Sequence, residues 1–159
     1  MPHNPEKIHD ATKGNPLKQI IVIRRDLKMR RGKEVAQGAH ASMKWLTKRF
    51  NPLVEDLLRD QSLLRRILLF PRMLRVLSTF SPNELAWMKA HFKKVTVVVK
   101  SEEELLETYH KAIEAGLEAQ LVQDSGKTEF GGVPTYTACG IGPDHADKIN
   151  PITGHLKLY

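Results

Sequence analysis

With 159 residues, 41% hydrophobic and 27% charged, the chain is long enough for one domain with a real core and too mixed for a disordered or fibrous protein. A single cysteine, Cys139, leaves no partner for an internal disulfide, and the seven histidines show no short paired spacing that would suit zinc. The net charge of +7 is uneven: residues 1–43 carry 9 Lys/Arg against 4 Asp/Glu, residues 44–94 carry 11 against 4, and residues 101–159 carry 4 against 10. Such a layout predicts a basic face for a polyanionic partner, with a basic protein that has no nucleic-acid role as the alternative.

Residues 1–17 read as a flexible N-terminal tail: Met1 to Pro16 is polar, holds three prolines and lacks the apolar core of a signal peptide. No apolar run approaches the length of a membrane span, and with the lone cysteine this makes a cytoplasmic location the expectation. The first strand is expected over Gln19 to Arg25, on the β-branched run Ile20-Ile21-Val22-Ile23. A cationic loop, Asp26 to Gly32, then leads into a helix from Lys33 to about Arg49. Helical spacing puts Val35, Ala39, Met43 and Leu46 on its buried face and Lys33, Gln37, His40 and Lys44 on an outward one. Unpaired N–H groups and the dipole at such a helix start suit an anion, although a solvated basic turn would look the same. The loop is neither a Walker P-loop nor a dinucleotide fingerprint, because the required glycines are missing.

Asn51-Pro52 is expected to restart the chain as a new helix, with Asn as its cap. Leu53, Leu57, Leu64, Leu68 and Leu69 then recur at roughly helical intervals until Pro71 breaks or kinks the run, which Met73, Leu74 and Leu77 resume. Ser81-Pro82-Asn83-Glu84 is a capping box that opens a helix to about His91. Val95 to Lys100 is the second strand. Ser101-Glu102-Glu103-Glu104 is a second capping box, for a helix ending at Gly116. Ala119 to Gln123 is the third strand. The turn Asp124-Ser125-Gly126-Lys127-Thr128 follows, and Thr135 to Ile141 returns antiparallel beyond Gly131-Gly132. Pro143 is expected to start a short helix to about Ile149. This order predicts an α/β fold, a three-layer α-β-α sandwich around a four-stranded mixed sheet.

Cys139 lies mid-strand, where a buried structural thiol is the common case, and no G-x-S-x-G elbow is present. Two loops at strand ends remain, one with Lys28 and Lys33, the other with Asp124 and Thr128. If the first and third strands are neighbours, Lys33 and Asp124 meet at their carboxyl ends. A carboxylate there can orient a water while the ammonium stabilises developing negative charge; an ordinary surface salt bridge is the plain alternative.

Arg24-Arg25-Asp26-Leu27-Lys28-Met29-(Arg30-Arg31)-Gly32-Lys33, Ala36-Gln37-Gly38-Ala39-His40-Ala41, Gln123-Asp124-Ser125-Gly126-Lys127-Thr128, Gly140-Ile141-Gly142-Pro143 and the ending Ile152-Thr153-Gly154-His155-Leu156-Lys157-Leu158-Tyr159 together resemble the peptidyl-tRNA hydrolase type 2 family. The likeness covers roughly residues 18–49 and 94–159. It implies an esterase that cleaves the bond between a peptide and the tRNA 3′ ribose, with tRNA as partner and no metal or organic cofactor. The family's site lands on Lys33, Asp124, Thr128 and His40 as catalytic residues, with Thr137 on the strand behind. Asp124, positioned by Thr128 and Lys33, would orient the attacking water, and Lys33 with the N–H groups of the first helix would stabilise the oxyanion. Lys28, Arg30, Arg31, Gln37, Lys44 and Lys127 would hold the tRNA.

Three departures from the family pattern stand out. Ser125 and Lys127 replace the usual alanine and arginine, the loop from Glu129 to Tyr136 is longer, and a basic helical insertion occupies residues 51–92. One hydrolase domain over residues 18–159 is expected to contain that insertion. The insertion would extend the helical layer, add a tRNA surface through Arg59, Arg65, Arg66, Arg72 and Arg75, or form a membrane-surface or homodimer face. A non-catalytic tRNA- or RNA-binding protein on the same scaffold is the rival reading, and an esterase for another acyl ester is a third.

Overall fold

Strand β1 (Leu17–Arg24) is buried along nearly its whole length, and its alternating side chains feed two separate cores. Ile20 and Val22 join Val97, Val99, Leu105, Cys139, Ile141 and Ile149 on one face. Ile21 and Ile23 join Met29, Ala41, Val122 and Ala138 on the other. A strand covered on both sides has no polar face to keep, which is why it reads as an unbroken apolar run. The computed structural model describes residues 15–59 and 69–159, so most of the tail expected over residues 1–17 lies outside it. Leu17, within that stretch, is already buried at the start of β1.

Around β1 the sheet runs β3-β4-β1-β2-β5, where β2 is Lys94–Val99, β3 is Ala119–Asp124, β4 is Thr135–His145 and β5 is Lys157–Leu158. β1 and β2 are parallel and the other three pairings are antiparallel, which makes the sheet mixed. It has five strands rather than the expected four. The fifth pairs only Lys157 and Leu158 with β2, too short to show any alternation in sequence. β4 also extends further than expected. Pro143 stays in the strand, because Asp144 and His145 still pair with Lys18 and Leu17, and the helix that follows starts only at Ala146.

Five α-helices are present among the described residues: α1 (Arg31–Arg59), α2 (Phe70–Ser78), α3 (Pro82–Lys89), α4 (Glu102–Glu114) and α5 (Ala146–Thr153). α1 and α3 cover one face and α4 and α5 the other. α1 does not restart at Asn51-Pro52 but runs through Pro52. Pro52 is exposed, so the carbonyl one turn back can be hydrated. Pro71 sits in the first turn of α2, where a missing N–H costs no bond; most of the run that it is expected to break lies outside the described residues. Leu64, Leu68, Arg65 and Arg66 lie outside the described residues. The Ser81 box closes as expected, with Ser81 Oγ accepting from the Glu84 N–H and Glu84 accepting from the Ser81 N–H. At α4 only half the box forms: Ser101 caps the Glu104 N–H, while the Glu104 carboxylate takes the Lys100 N–H.

The faces of α1 depart from those expected at Val35, Ala39, Met43 and Gln37, while Leu46 packs inward and His40 is exposed as expected. Its buried residues are Gln37, Ala41, Ser42, Trp45 and Leu53, while Val35 and Met43 are 74% and 43% exposed. The cause is how close α1 comes to β4. A Cβ on Gly140 would lie 2.2 Å from the Ala41 carbonyl oxygen, so only small or hydrogen-bonded side chains fit along this contact. Buried Gln19 of β1 donates to the Ser42 carbonyl and accepts from its hydroxyl, which satisfies its amide inside the core. Val35, Ala39 and Met43 instead line an open trough of about 870 Å³ with Ile21, Ile23 and Phe92. Tyr159 lines it too, its hydroxyl on Glu34.

Candidate active site

The strand order alone would not bring Lys33 to Asp124. β4 lies between β1 and β3, so the adjacency of the first and third strands that would by itself join the two loops is not met. α1 makes the connection instead. It touches β1, β4 and β3 in turn, and its close seat over Gly140 lets the first helical turn reach across to the end of β3. Lys33 Nζ donates to Asp124 Oδ1 at 2.8 Å and to Thr128 Oγ1 at 2.9 Å.

This is not the exposed pair that a basic loop beside an acidic turn suggests. The Lys33 and Asp124 side chains are 9% and 17% exposed, so water screens the pair poorly. Asp124 Oδ1 also accepts the Gly126 N–H at 2.8 Å, and Oδ2 accepts Gln37 Nε2 at 3.0 Å. Gly126 has φ +77°, and a Cβ there would fall 2.3 Å from the Val133 carbonyl oxygen, so the turn that aims its N–H at Asp124 admits only glycine. The Lys33 hydrogen bond is the main reason that the Asp124 carboxyl titrates below the ordinary aspartate range. Burial pushes the other way, and the Gly126 N–H, the Lys33 charge and Gln37 add to the lowering.

Gln37, expected to touch tRNA, is almost fully buried and stands behind Asp124 instead. Its Oε1 accepts the hydroxyl of buried Thr137 at 2.7 Å. His40 is exposed three residues further along α1, on the wall of a 350 Å³ groove that it shares with Gln37, Lys44, Thr47, Gln123 and Asp124; no bond joins it to Lys33 or Asp124. The cations separate into two groups. Lys28, Arg30, Arg31 and Lys127 are exposed, Arg30 with its Nε on Glu129 at 2.7 Å, whereas half-buried Lys44 donates its Nζ to the Leu121 carbonyl at 2.7 Å.

Three contacts were not legible in the residue pattern: the Gly126 N–H on Asp124, the Arg30–Glu129 ion pair and the Phe130 ring 4.7 Å from Lys33 Nζ. All three depend on the path of the loop from Asp124 to Thr135, which no periodicity encodes. Cys139 has no part in the site. It is fully buried, and burial pushes its thiol up to about 12. Among the described residues no three His, Cys, Asp or Glu side chains gather as a metal site, and no helix is long and apolar enough to cross a membrane.

Comparison with known proteins converges on one family. The family model described as peptidyl-tRNA hydrolase PTH2 matches residues 17–159. A peptidyl-tRNA hydrolase of Methanocaldococcus jannaschii is 37% identical over 144 residues, covering 89% of this chain and 99% of the relative. One of Methanothermobacter thermautotrophicus is 38% identical over 142 residues, with the same coverage. One of Sulfolobus acidocaldarius is 34% identical over 142 residues, again covering 89% and 99%. With a matched region that contains Lys33, Asp124, Thr128, Gln37 and Thr137, the chain belongs to the peptidyl-tRNA hydrolase PTH2 family.

Proposed function

We propose that the Lys33–Asp124–Thr128 constellation hydrolyses the ester between an N-blocked aminoacyl or peptidyl group and the 3′ ribose of tRNA. One observation carries this reading: a single, nearly buried ammonium bridges Asp124 and Thr128 beside an open groove. Asp124 Oδ1 already accepts two hydrogen bonds and Oδ2 only one. Oδ2 therefore keeps a lone pair for the O–H of an attacking water. A carboxylate whose ionised form is favoured by its partners is a weaker base than a free one, so its work is to aim the water rather than to store the proton. Lys33 stabilises the oxyanion of the tetrahedral intermediate, helped by the free N–H groups at the start of α1. His40, on the groove wall, is assigned to the ribose side, where the leaving oxygen departs.

Exposed Lys28, Arg31 and Lys127 hold phosphates of the acceptor end. Arg30 and Lys44 brace the loop and β3 around the site. Phosphate contacts of this kind weaken as salt rises. The protein works in the cytoplasm as one hydrolase domain over residues 18–159. Its described residues 51–59 and 69–92 belong to an insertion that extends the helical layer. The principal test is release of N-acetyl-aminoacyl groups from tRNA by the intact protein, Asp124→Ala and Lys33→Ala. Turnover in the intact protein alone supports the reading. Binding of tRNA without turnover would leave only a tRNA-binding scaffold.

A further inference from the structure

Phe130 occupies a backbone conformation that its side chain disfavours. Its φ is +69°, and Gly131 and Gly132 follow at +61° and +82°, so three consecutive residues run left-handed. Glycine takes such angles freely; a bulky aromatic does so rarely, and persists there only when its surroundings hold it. Here they do. The preceding Glu129 is tied to Arg30 at 2.7 Å. The Gly132 N–H donates to the Gly126 carbonyl and the Val133 N–H to the Phe130 carbonyl, both at 3.0 Å. The ring packs on the cluster of Ile21, Ile23 and Val122. The outcome of this forced turn is a ring centroid 4.7 Å from Lys33 Nζ.

An ammonium has three protons, and Lys33 commits two of them, to Asp124 and Thr128. What borders the remaining side decides whether the third is free for substrate. A further carboxylate would capture it. An aliphatic wall would leave a desolvated cation uncompensated on that side. A π face attracts the charge and keeps water away, yet has no lone pair to compete with the oxyanion. Resting on the proposed function, we propose that Phe130 is a positioning residue. Its ring holds the Lys33 ammonium by a cation–π contact so that the third N–H points to the reacting carbonyl oxygen.

Three replacements at this position separate the π face from mere bulk: Phe130→Leu, Phe130→Tyr and a site-specific 3,4,5-trifluorophenylalanine. The fluorinated ring nearly keeps the shape and loses the negative face. Leu and the fluorinated ring are expected to lower kcat about tenfold with KM within about twofold, while Tyr stays within about twofold in both. A structural role would tolerate Leu and the fluorinated ring, so kcat near the intact value in either overturns the proposal. A second readout needs no turnover: the 1H and 15N signals of the Lys33 ammonium should carry a ring-current shift that Phe130→Leu abolishes. If the intact protein failed to hydrolyse peptidyl-tRNA, the functional reading would fall while this signal still decided the contact; its absence overturns the proposal.

Discussion

The hydroxyl of Thr137, buried at 0% exposure, lies 2.7 Å from Gln37 Oε1, and this bond decides which end of the Gln37 amide faces Asp124. An amide turned the other way would present oxygen to a carboxylate. With the hydroxyl on Oε1, Nε2 is left for Asp124 Oδ2, and the carboxylate is held from β4 as well as from α1. Thr137→Val keeps the shape and removes the donor. Its expected effect is a fall in kcat of about fivefold to tenfold with little change in KM, matching the loss of one hydrogen bond that a buried network needs. Steady-state kinetics on N-acetyl-aminoacyl-tRNA check this, and an unchanged kcat would mean that Gln37 is oriented without Thr137.

Asp124 is lowered mainly by the Lys33 hydrogen bond, and the sign of the pH effect follows. A carboxyl that titrates lower when folded adds stability above its unfolded value, about 3.9, and loses it as pH falls through the folded value. In Lys33→Met the bond and the charge both vanish while burial persists, so the Asp124 midpoint should rise. The 13Cγ shift of Asp124 against pH reads this directly, whatever the activity of the variant. A midpoint that stays where it was would show that Gly126 and Gln37 suffice to hold the ionised form.

Much of this arrangement was readable in residue order, and the parts that were not share a cause. β1 and β2 announced themselves because strands covered on both faces need unbroken apolar side chains. Lys33, Asp124 and Thr128 were singled out by chemistry and motif. The first turns of α1 depart from the apolar spacing because that spacing marks the buried side only when a helix packs at ordinary distance. α1 presses its backbone onto Gly140, so Gln37, Ala41 and Ser42 go inward and Val35 and Met43 stay out. Strand order is not legible for another reason: local pattern says nothing about β4 coming back between β1 and β3. The left-handed turn at Phe130 left only its two glycines as a trace.

Gly140→Ala tests that close seat. The added methyl would stand 2.2 Å from the Ala41 carbonyl oxygen, with main chain on both sides and no flexible atom to yield. A loss of about 3 kcal/mol is expected, near the upper end for overpacking, together with falling activity as Lys33 is lifted from Asp124. Gly32→Ala is the matching control, since a Cβ there meets nothing within 4 Å and helix propensity favours alanine. Denaturant midpoints compare the two. Equal stability in both would mean that α1 can slide without cost, and Gly140 would lose its place in the account.

α2 presents the opposite case, an apolar stripe whose replacement should cost little. Phe70, Met73, Leu74 and Leu77 fall at helical spacing, are 56%, 39%, 51% and 47% exposed, and α2 buries none of its own residues. Side chains that keep their water when the chain folds gain little from folding. Leu74→Glu and Leu77→Glu should therefore each change stability by no more than about 0.5 kcal/mol, whereas Trp87→Ala, at 1% exposure and with its indole N–H on the Lys93 carbonyl, should lose about 3–5 kcal/mol. Thermal melts at two protein concentrations measure both. A large loss at Leu74 or Leu77 would show the stripe to be covered in solution, and a loss that grows on dilution would identify the cover as a second copy of the chain.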